Sequence, residues 1–233
     1  MAGHKYRLGA VDRRALGDEV SITLRAAIIS GTLAPGARLI EADLSDELGV
    51  SRGPIRDALR NLEADRLVVT SPRRGSTVAV FSRADVEEIY SLRAALEGVG
   101  ARWLARRMSP EREATLWTLL DSMRAATNEQ QVLMERDLEF HRTIAMLSDH
   151  RRVFEAWRHM QPQIEFLMHG PGDVYPDKDE MIAWHQRTVE ALVARDAAAA
   201  EQTVRDHILD AAARVLSVWS DQHDERESPT PTT

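Results

Sequence analysis

The stretch SRGPIRDALRNLEADRL (residues 51–67) decides how the first part of this chain is interpreted. Its apolar residues recur every three or four positions, which predicts a helix whose buried face carries Ile55, Ala58, Leu59 and Leu62. Another face carries three arginines at similar spacing: Arg52, Arg56 and Arg60. Just upstream, Leu48-Gly49-Val50 predicts that a second short helix ends in a glycine turn. Two short helices joined in this way, with arginines opening the second, are typical of a helix-turn-helix that reads DNA.

The residues around this stretch predict the remaining helices of a small N-terminal domain. A first helix is expected over 13–30 and a second over 41–48. Ser51 is suited to cap the third helix, and Pro54 falls in its first turn, where a missing N–H has no cost. The first domain is therefore expected to contain three helices.

A β-hairpin is expected directly after the third helix. The segments 67–70 and 77–80 are predicted to pair as strands, and 37–40 is a candidate for a further short strand. A hairpin in this position makes a winged helix-turn-helix. We expect its tip to contact phosphate, although a hairpin can also serve only to cover the helices. The tip residues are Arg73, Arg74 and Gly75.

The composition favours a folded protein of one large or two small domains. The chain has 233 residues, of which 43% are hydrophobic and 29% are charged. Cysteine is absent, which excludes disulfides and thiolate metal sites. No apolar run approaches the ~20 residues that span a bilayer, and no secretory signal is evident at the N-terminus. The expected location is therefore the cytoplasm, without membrane association.

The net charge of −7 is unevenly distributed along the chain. Residues 1–80 carry 12 Lys and Arg against 10 Asp and Glu, whereas residues 81–233 carry 18 against 27. Basic charge is therefore local to the N-terminal part. This distribution is expected when one small module contacts phosphates and a larger one does not.

From Ser82 onward the sequence predicts only helices, so the fold class is mainly α: a winged helix-turn-helix followed by an all-α bundle of six to seven helices. We expect a DNA-binding domain over 10–81, a helical domain over 82–222 and a disordered tail over 223–233. The predicted helices of the second domain are 83–107, 110–126, 129–147, 151–168, 178–195 and 197–219.

Four residues of the helical domain point along apolar stripes and are candidates for a metal site: Asp137, His141, His185 and His207. A buried carboxylate is costly unless it is paired or bound to a metal. Three imidazoles and one carboxylate that converge would form a cage for a divalent ion. Each residue also has a simpler interpretation, since a core histidine is commonly just hydrogen-bonded and Asp137 could pair with an arginine. The pattern leaves both interpretations open.

Arg93 and Glu97 form an i,i+4 pair in the first helix of this domain. Their spacing alone favours an exposed ion pair. The alternative is that Arg93 points inward and binds a carboxylate ligand beside the metal, because a guanidinium matches the shape of a carboxylate.

Both halves of the chain resemble one family of regulators. LSDELGVSRGPIRDALRNLEADRLV and PRRGSTV resemble the winged helix-turn-helix of GntR transcription regulators. SLRAALEGVGARWLA, DLEFHRTIAMLS and the segment from His185 to His207 resemble the FCD ligand-binding domain of the FadR subfamily. The resemblance covers roughly residues 15–220.

For the first domain, the resemblance implies a homodimer that binds a pseudo-palindromic double-stranded DNA operator. It implies that Arg52 and Arg56 contact bases, that Ser51 contacts phosphate, and that Gly75 lies near the minor groove. Arg60 lies a further turn along the helix and is expected to meet phosphate or solvent.

For the second domain, the resemblance implies that Asp137 and the three histidines bind a divalent ion, with zinc expected first and nickel or manganese as alternatives. It also implies that Arg93 helps to hold an organic-acid effector that changes the affinity for DNA. The chain departs from the usual pattern at Ser148-Asp149-His150, where relatives carry an asparagine in place of Asp149. The expected protein is not an enzyme.

Two other functions are compatible with the same residues. The cage could belong to a helical metal-dependent enzyme acting on a small carboxylate, with Glu97 or Glu165 as a general base and the N-terminal module as a binding domain. Alternatively, the chain binds DNA and its ion has only a structural role.

Overall fold

The structure is a computed structural model that describes residues 13–127, 129–170 and 177–219. It is mainly helical with one small antiparallel sheet, which confirms the predicted fold class. The chain divides into two compact units between Val80 and Phe81. The tail predicted at 223–233 lies outside the described residues.

Among its described residues, the first unit contains three helices and three strands in the order expected for a winged helix-turn-helix. These are α1 (Arg13–Ile29), β1 (Arg38–Leu39), α2 (Glu41–Leu48), α3 (Arg52–Ala64), β2 (Val68–Ser71) and β3 (Gly75–Val78).

The sheet has β3 in its centre, paired antiparallel with β1 on one side and with β2 on the other. The β2–β3 hairpin is the predicted wing, and its register pairs Ser71 with Gly75. Gly75 has a φ of 71°, a conformation that glycine adopts without strain. The candidate strand at 37–40 is real but consists of only two residues.

The turn between α2 and α3 is closed by Gly49, whose φ is 65° and whose N–H donates to the carbonyl of Ser45. Ser51 then occupies the N-cap position of α3 with an extended backbone, but its side chain makes no capping hydrogen bond. Ser51 is therefore the N-cap as predicted, but without the side-chain hydrogen bond that usually accompanies this position. The predicted apolar face of α3 is buried, together with Pro54.

The second unit has six helices within the described residues, each close to its predicted position. They are α4 (Arg83–Ala105), α5 (Pro110–Ala125), α6 (Gln130–Leu147), α7 (Arg151–Met168), α8 (Lys178–Val193) and α9 (Ala197–Val218). Polar caps fix where several of them begin. Ser82 and Asp85 form a reciprocal capping box at α4, and Asp177 and Asp196 cap α8 and α9.

Helix α4 lies at the centre of this unit, in contact with α6, α7, α8 and α9. Its buried positions recur every three or four residues along its whole length. Two of these buried positions are charged, Arg93 and Glu97. Helix α4 therefore brings an ion pair into the same interior that α6, α8 and α9 line with Asp137 and histidines.

Candidate metal centre and nucleic-acid interface

Four potential metal ligands come together inside the second unit: Asp137, His141, His185 and His207. Asp137 and His141 lie one turn apart on α6, whereas His185 comes from α8 and His207 from α9. One donor atom of each lies within 4.8 Å of the others, and all four side chains are buried. The structure therefore brings together the four residues that the apolar stripes indicated.

The three imidazoles direct their Nε2 atoms toward one carboxylate oxygen, Oδ1 of Asp137. This oxygen lies 3.1 Å from Nε2 of His185, 3.6 Å from that of His141 and 3.9 Å from that of His207. The rings of His141 and His207 are stacked with centroids 5.2 Å apart, and Phe140 packs edge-on against His185. Aromatic packing thus contributes to holding the three rings around Asp137.

The second nitrogen of each ring has a different environment. Nδ1 of His185 is hydrogen-bonded to the carbonyl of Met181 at 2.6 Å, which turns Nε2 toward the centre. Nδ1 of His141 lies 2.5 Å from Oε2 of Glu97. Nδ1 of His207 is buried and makes no hydrogen bond within the described part of the chain. The rings of His185 and His141 therefore have a polar partner at Nδ1, on the side away from Asp137, whereas the ring of His207 has no hydrogen bond there among the described residues.

Glu97 contacts side chains from three helices. Its Oε1 accepts hydrogen bonds from Nε of Arg93 on α4 and from Nε1 of Trp157 on α7, each at 2.8 Å. Its Oε2 faces His141 on α6. The two hydrogen bonds to Oε1 satisfy donors that would otherwise be costly to bury, and the approach of Oε2 to Nδ1 of His141 is an ionic contact.

The predicted exposure of the Arg93–Glu97 pair is wrong. The two side chains are only 2% and 1% exposed. The i,i+4 spacing does not distinguish the two faces of a helix, but the wider pattern does, because both residues fall on the buried stripe that includes Tyr90 and Ala101. This stripe is the sequence signal that could have identified Glu97.

The Glu97–His141 pair is charged, because mutual attraction outweighs the effect of burial on each partner. Burial would raise the pKa of Glu97, but His141 and Arg93 lower it to about 2. Burial would lower the pKa of His141, but Glu97 and Asp137 raise it to about 9. Both partners are therefore ionised at neutral pH when no metal is bound.

Asp137 and His207 titrate in directions that suit metal binding, whereas His141 must lose a proton when it binds an ion. Burial would raise the pKa of Asp137, but the nearby charge of His141 holds it well below its usual range. Burial lowers the pKa of His207 to about 3. A carboxylate and a neutral imidazole are the forms that bind metal ions.

The four residues fit a divalent ion better than a set of ordinary core contacts. Nε2 of His141 and Nε2 of His185 are buried and make no hydrogen bond within the described residues. The arginine nearest to an ordinary pairing with Asp137 is Arg93, whose Nη2 lies 4.0 Å from Oδ2. Three imidazole nitrogens and one carboxylate oxygen form a donor set that suits zinc, nickel or manganese.

Asp149 takes no part in this cluster. It adopts a φ of 54°, and its carboxylate, which is 61% exposed, pairs with Arg112. The departure of the sequence at this position therefore leaves the four-residue cluster intact.

The residues predicted to contact DNA are exposed on the first unit. Three of them lie at the beginning of α3, and Arg60 lies one turn further along the same helix. The other three lie at the tip of the wing. They are Ser51, Arg52, Arg56, Arg60, Arg73, Arg74 and Gly75. The arrangement offers one helix face and one hairpin tip to a polyanion, as in a winged helix that binds DNA.

Two of these arginines have acidic partners that the sequence did not indicate. Nε of Arg56 donates to Oε2 of Glu41 at 2.7 Å, and Nη1 of Arg60 lies 3.3 Å from Oδ1 of Asp57. Arg52 has no such ion pair among the described residues. Glu41 is the more informative partner because it joins α2 to α3.

Comparison with known protein families identifies both units. Residues 16–78 match the family described as bacterial regulatory proteins of the gntR family, and residues 88–210 match the FCD domain. No helix within the described residues is long and apolar enough to cross a membrane.

Curated relatives cover most of the chain. The gluconate operon transcriptional repressor of Bacillus licheniformis is 26% identical over 219 residues, which are 91% of this chain and 90% of that protein. The transcriptional repressor RspR of Escherichia coli is 26% identical over 203 residues, which are 86% of this chain and 89% of that protein.

Solved structures show the same relationship. A GntR transcriptional regulator from Rhodococcus sp. RHA1 superposes with a TM-score of 0.73 at 30% identity, covering 88% of this chain and all of that one. The matched domains and relatives are regulators, so the enzyme interpretation is not supported. The chain belongs to the GntR family and is a DNA-binding transcription regulator with an FCD effector-binding domain.

Proposed function

We propose that this chain is a FadR-subfamily regulator whose affinity for its operator is set by a small carboxylate effector bound beside a divalent metal ion. The observation that carries the proposal is the convergence of three histidine Nε2 atoms on Oδ1 of Asp137 in a buried position. Buried ligands of this kind are retained at a cost, which a bound ion offsets.

Asp137, His141, His185 and His207 would hold the ion, with zinc as the first candidate and nickel or manganese as alternatives. A bound ion supplies positive charge that attracts a carboxylate oxygen. The protein contributes the orientation of the rings, as at His185, whose Nδ1 is held by the carbonyl of Met181.

Arg93 is proposed to bind the effector. Its Nε is bonded to Glu97, whereas its Nη2 is buried and makes no hydrogen bond within the described residues. A buried guanidinium with one terminal nitrogen that lacks a hydrogen bond is suited to a carboxylate. A relative named for a gluconate operon supports a small organic acid as the class of effector.

For the DNA-binding unit, we propose that two copies of the chain form a cytoplasmic homodimer. This homodimer would bind a pseudo-palindromic operator. Arg52 and Arg56 would contact base edges, and Ser51 and Arg60 would contact phosphate. The wing residues Arg73 and Arg74 would contact the backbone beside the minor groove, with Gly75 at the closest approach.

Helix α9 carries one ligand of the metal centre and also contacts the first residues of the second unit. It carries His207, the ring whose Nδ1 has no hydrogen bond among the described residues. At the C-terminal end of α9, Nε1 of Trp219 donates to the carbonyl of Phe81 at 3.2 Å, and the carbonyl of Leu216 accepts from Arg83 at 3.1 Å. Phe81 is the first residue after the DNA-binding unit. A shift of α9 would therefore act on the first residues of the second unit, which follow the DNA-binding unit in the sequence.

The test measures operator affinity as a function of both ligands. The purified full-length protein is stripped with a chelator and reloaded with zinc, nickel or manganese. Its affinity for an operator selected from random duplexes is then measured with and without a panel of carboxylates that includes gluconate. We expect at least one acid to change the affinity only in the metal-loaded protein. Equal affinity under all conditions would contradict the proposal and leave the ion, if bound, a structural role.

A further inference from the structure

We infer that Glu97 is a positioning residue for the metal ligand His141, acting from behind the ring rather than as a ligand itself. The inference rests on the proposed metal site. It assigns a function to a buried carboxylate that the binding of metal and effector, as proposed above, does not use directly.

The geometry places Glu97 behind His141. Oε2 of Glu97 lies 2.5 Å from Nδ1 of His141, while Nε2 of the same ring faces Oδ1 of Asp137 at 3.6 Å. A metal ion on Nε2 leaves the ring proton on Nδ1, where Glu97 is within reach as its acceptor. The two carboxylates therefore lie on opposite sides of one imidazole and have different functions.

Glu97 is unsuited to be a ligand because its oxygens are already engaged. Oε1 accepts from Nε of Arg93 and Nε1 of Trp157, both at 2.8 Å, and Oε2 faces His141. These partners come from α4, α7 and α6, so the carboxylate is held from three helices at 1% exposure. A carboxylate fixed in this way can hold a ring in one orientation.

The three histidines differ in the group that lies behind each ring. His185 is oriented by the neutral carbonyl of Met181, and His207 has no bond at Nδ1 within the described residues. Glu97 is therefore the charged group that supports a ring of this centre. Carboxylate support of a metal-bound histidine fixes its tautomer and raises its strength as a donor, and losing it typically weakens metal affinity about 10–100-fold.

Glu97 also joins the metal centre to the proposed effector residue. Arg93 bonds Glu97 through Nε and has its Nη2 free of hydrogen bonds within the described residues. The carboxylate thus holds one metal ligand and the arginine that would bind the effector in a fixed relation to each other. Replacing Glu97 by alanine would leave Arg93 buried without its partner, so the test needs a substitution of equal size.

The experiment compares full-length wild type with Glu97→Gln and with the control Glu139→Gln. Glu139 lies on the same helix as Asp137, is 44% exposed and pairs with Arg136. Cobalt(II) and zinc are titrated into chelator-stripped protein, with the visible absorption of bound cobalt as a report on ligand geometry. We expect E97Q to bind both metals about 10–100-fold more weakly with an altered cobalt spectrum, and E139Q to match wild type.

Two outcomes overturn the inference in distinguishable ways. If wild type binds metal and E97Q binds it with the same affinity and spectrum, Glu97 does not position His141, although the metal site stands. If wild type binds no metal, the proposed function fails together with the inference. Should E97Q not fold, R93M is compared with R93M/E97Q, which removes both charges of the pair. A drop of tenfold or more between these two supports the inference, and equal affinities overturn it.

Discussion

Nε of Arg56 donates a hydrogen bond to Oε2 of Glu41 across 2.7 Å, which joins the recognition helix to the first turn of the helix before it. The pair is partly exposed, with 57% of the arginine and 36% of the glutamate side chain accessible. Because Nε is occupied, the two terminal nitrogens of Arg56 remain for a DNA base. Glu41 is therefore placed to orient an arginine that is expected to read DNA.

The first prediction concerns Glu41→Gln. The substitution removes a negative charge close to the expected DNA surface, so affinity for all duplexes should rise. It also weakens the orientation of Arg56, so the ratio of operator to random-sequence affinity should fall, within the ~1–3 kcal/mol that one bidentate base contact contributes. Fluorescence anisotropy with both duplexes measures the ratio.

Asp57→Asn is the matched control for Glu41→Gln. It removes the same charge from α3, beside Arg60 rather than Arg56. We expect it to raise general affinity without changing the ratio. If both variants shift the ratio equally, orientation of Arg56 by Glu41 is not the cause.

The second prediction concerns the wing. Arg74 lies at an exposed hairpin tip, with its backbone N–H bonded to Ser71. If its side chain contacts phosphate, Arg74→Ala should weaken binding to all sequences alike and reduce the slope of log affinity against log salt by about 1. Arg106→Ala, at the exposed position that directly follows α4 in the other unit, should leave the slope unchanged. A loss confined to the operator would indicate base contact instead.

The parts of the structure that the sequence predicted correctly are those governed by local periodicity. Asp137, His141, His185 and His207 each lie on an apolar stripe of their own helix, and helices bury such stripes. The sequence therefore indicates that all four side chains point inward, without any information on how the helices pack, and all four are buried. The third helix was predicted for the same reason, since Ile55 and its apolar neighbours repeat at helical spacing.

The contacts that the sequence did not predict join residues on different helices. Glu97 meets His141 and Trp157 because α4, α6 and α7 pack together, and no local pattern encodes that packing. The Arg56–Glu41 bond links residues 15 positions apart across a turn. The i,i+4 spacing of Arg93 and Glu97 favours an exposed ion pair, but both side chains are buried. Their positions on the buried face of α4 outweigh the usual preference of charged side chains for solvent.

The third prediction concerns metal removal. An ion that binds only the folded state adds about 2.7 kcal/mol at a hundredfold excess over its Kd, so chelation should lower Tm by several degrees. His185→Ala should lose this metal-dependent shift, because it removes a ligand. His159→Ala, an exposed histidine on α7, should retain it. Thermal melts with and without chelator measure the shift, and an equal shift in both variants would exclude the proposed ligands.

The fourth prediction concerns the pH dependence of stability in chelator-treated protein. The pKa of Glu97 is about 2 in the fold against 4.5 ordinarily, so its contribution is full above pH 4.5 and lost as pH falls toward 2. The pKa of His141 is about 9 against 6.5, so its contribution is full below pH 6.5 and lost as pH rises through 9. The free energy of unfolding should therefore decline on both sides.

Urea unfolding across this pH range tests the assignment to the Glu97–His141 pair. In Glu97→Gln the free energy of unfolding should change less with pH at both the acidic and the basic end. The variant has no carboxylate at this position to titrate and no negative charge there to stabilise the imidazolium of His141. In Glu139→Gln the profile should follow wild type. Parallel profiles for E97Q and wild type would show that other groups govern the pH dependence.

The fifth prediction tests whether α9 transmits the state of the metal centre. Trp219→Phe removes the hydrogen bond from Nε1 to the carbonyl of Phe81 while keeping an aromatic side chain in its buried position. The loss of one buried bond costs about 1 kcal/mol, so the fold should persist. We expect metal affinity to match wild type, and the change in operator affinity caused by metal and effector to shrink. Trp103→Phe, on α4, is the control for loss of an indole. A full regulatory response in W219F would show that the signal does not pass through the Trp219–Phe81 bond.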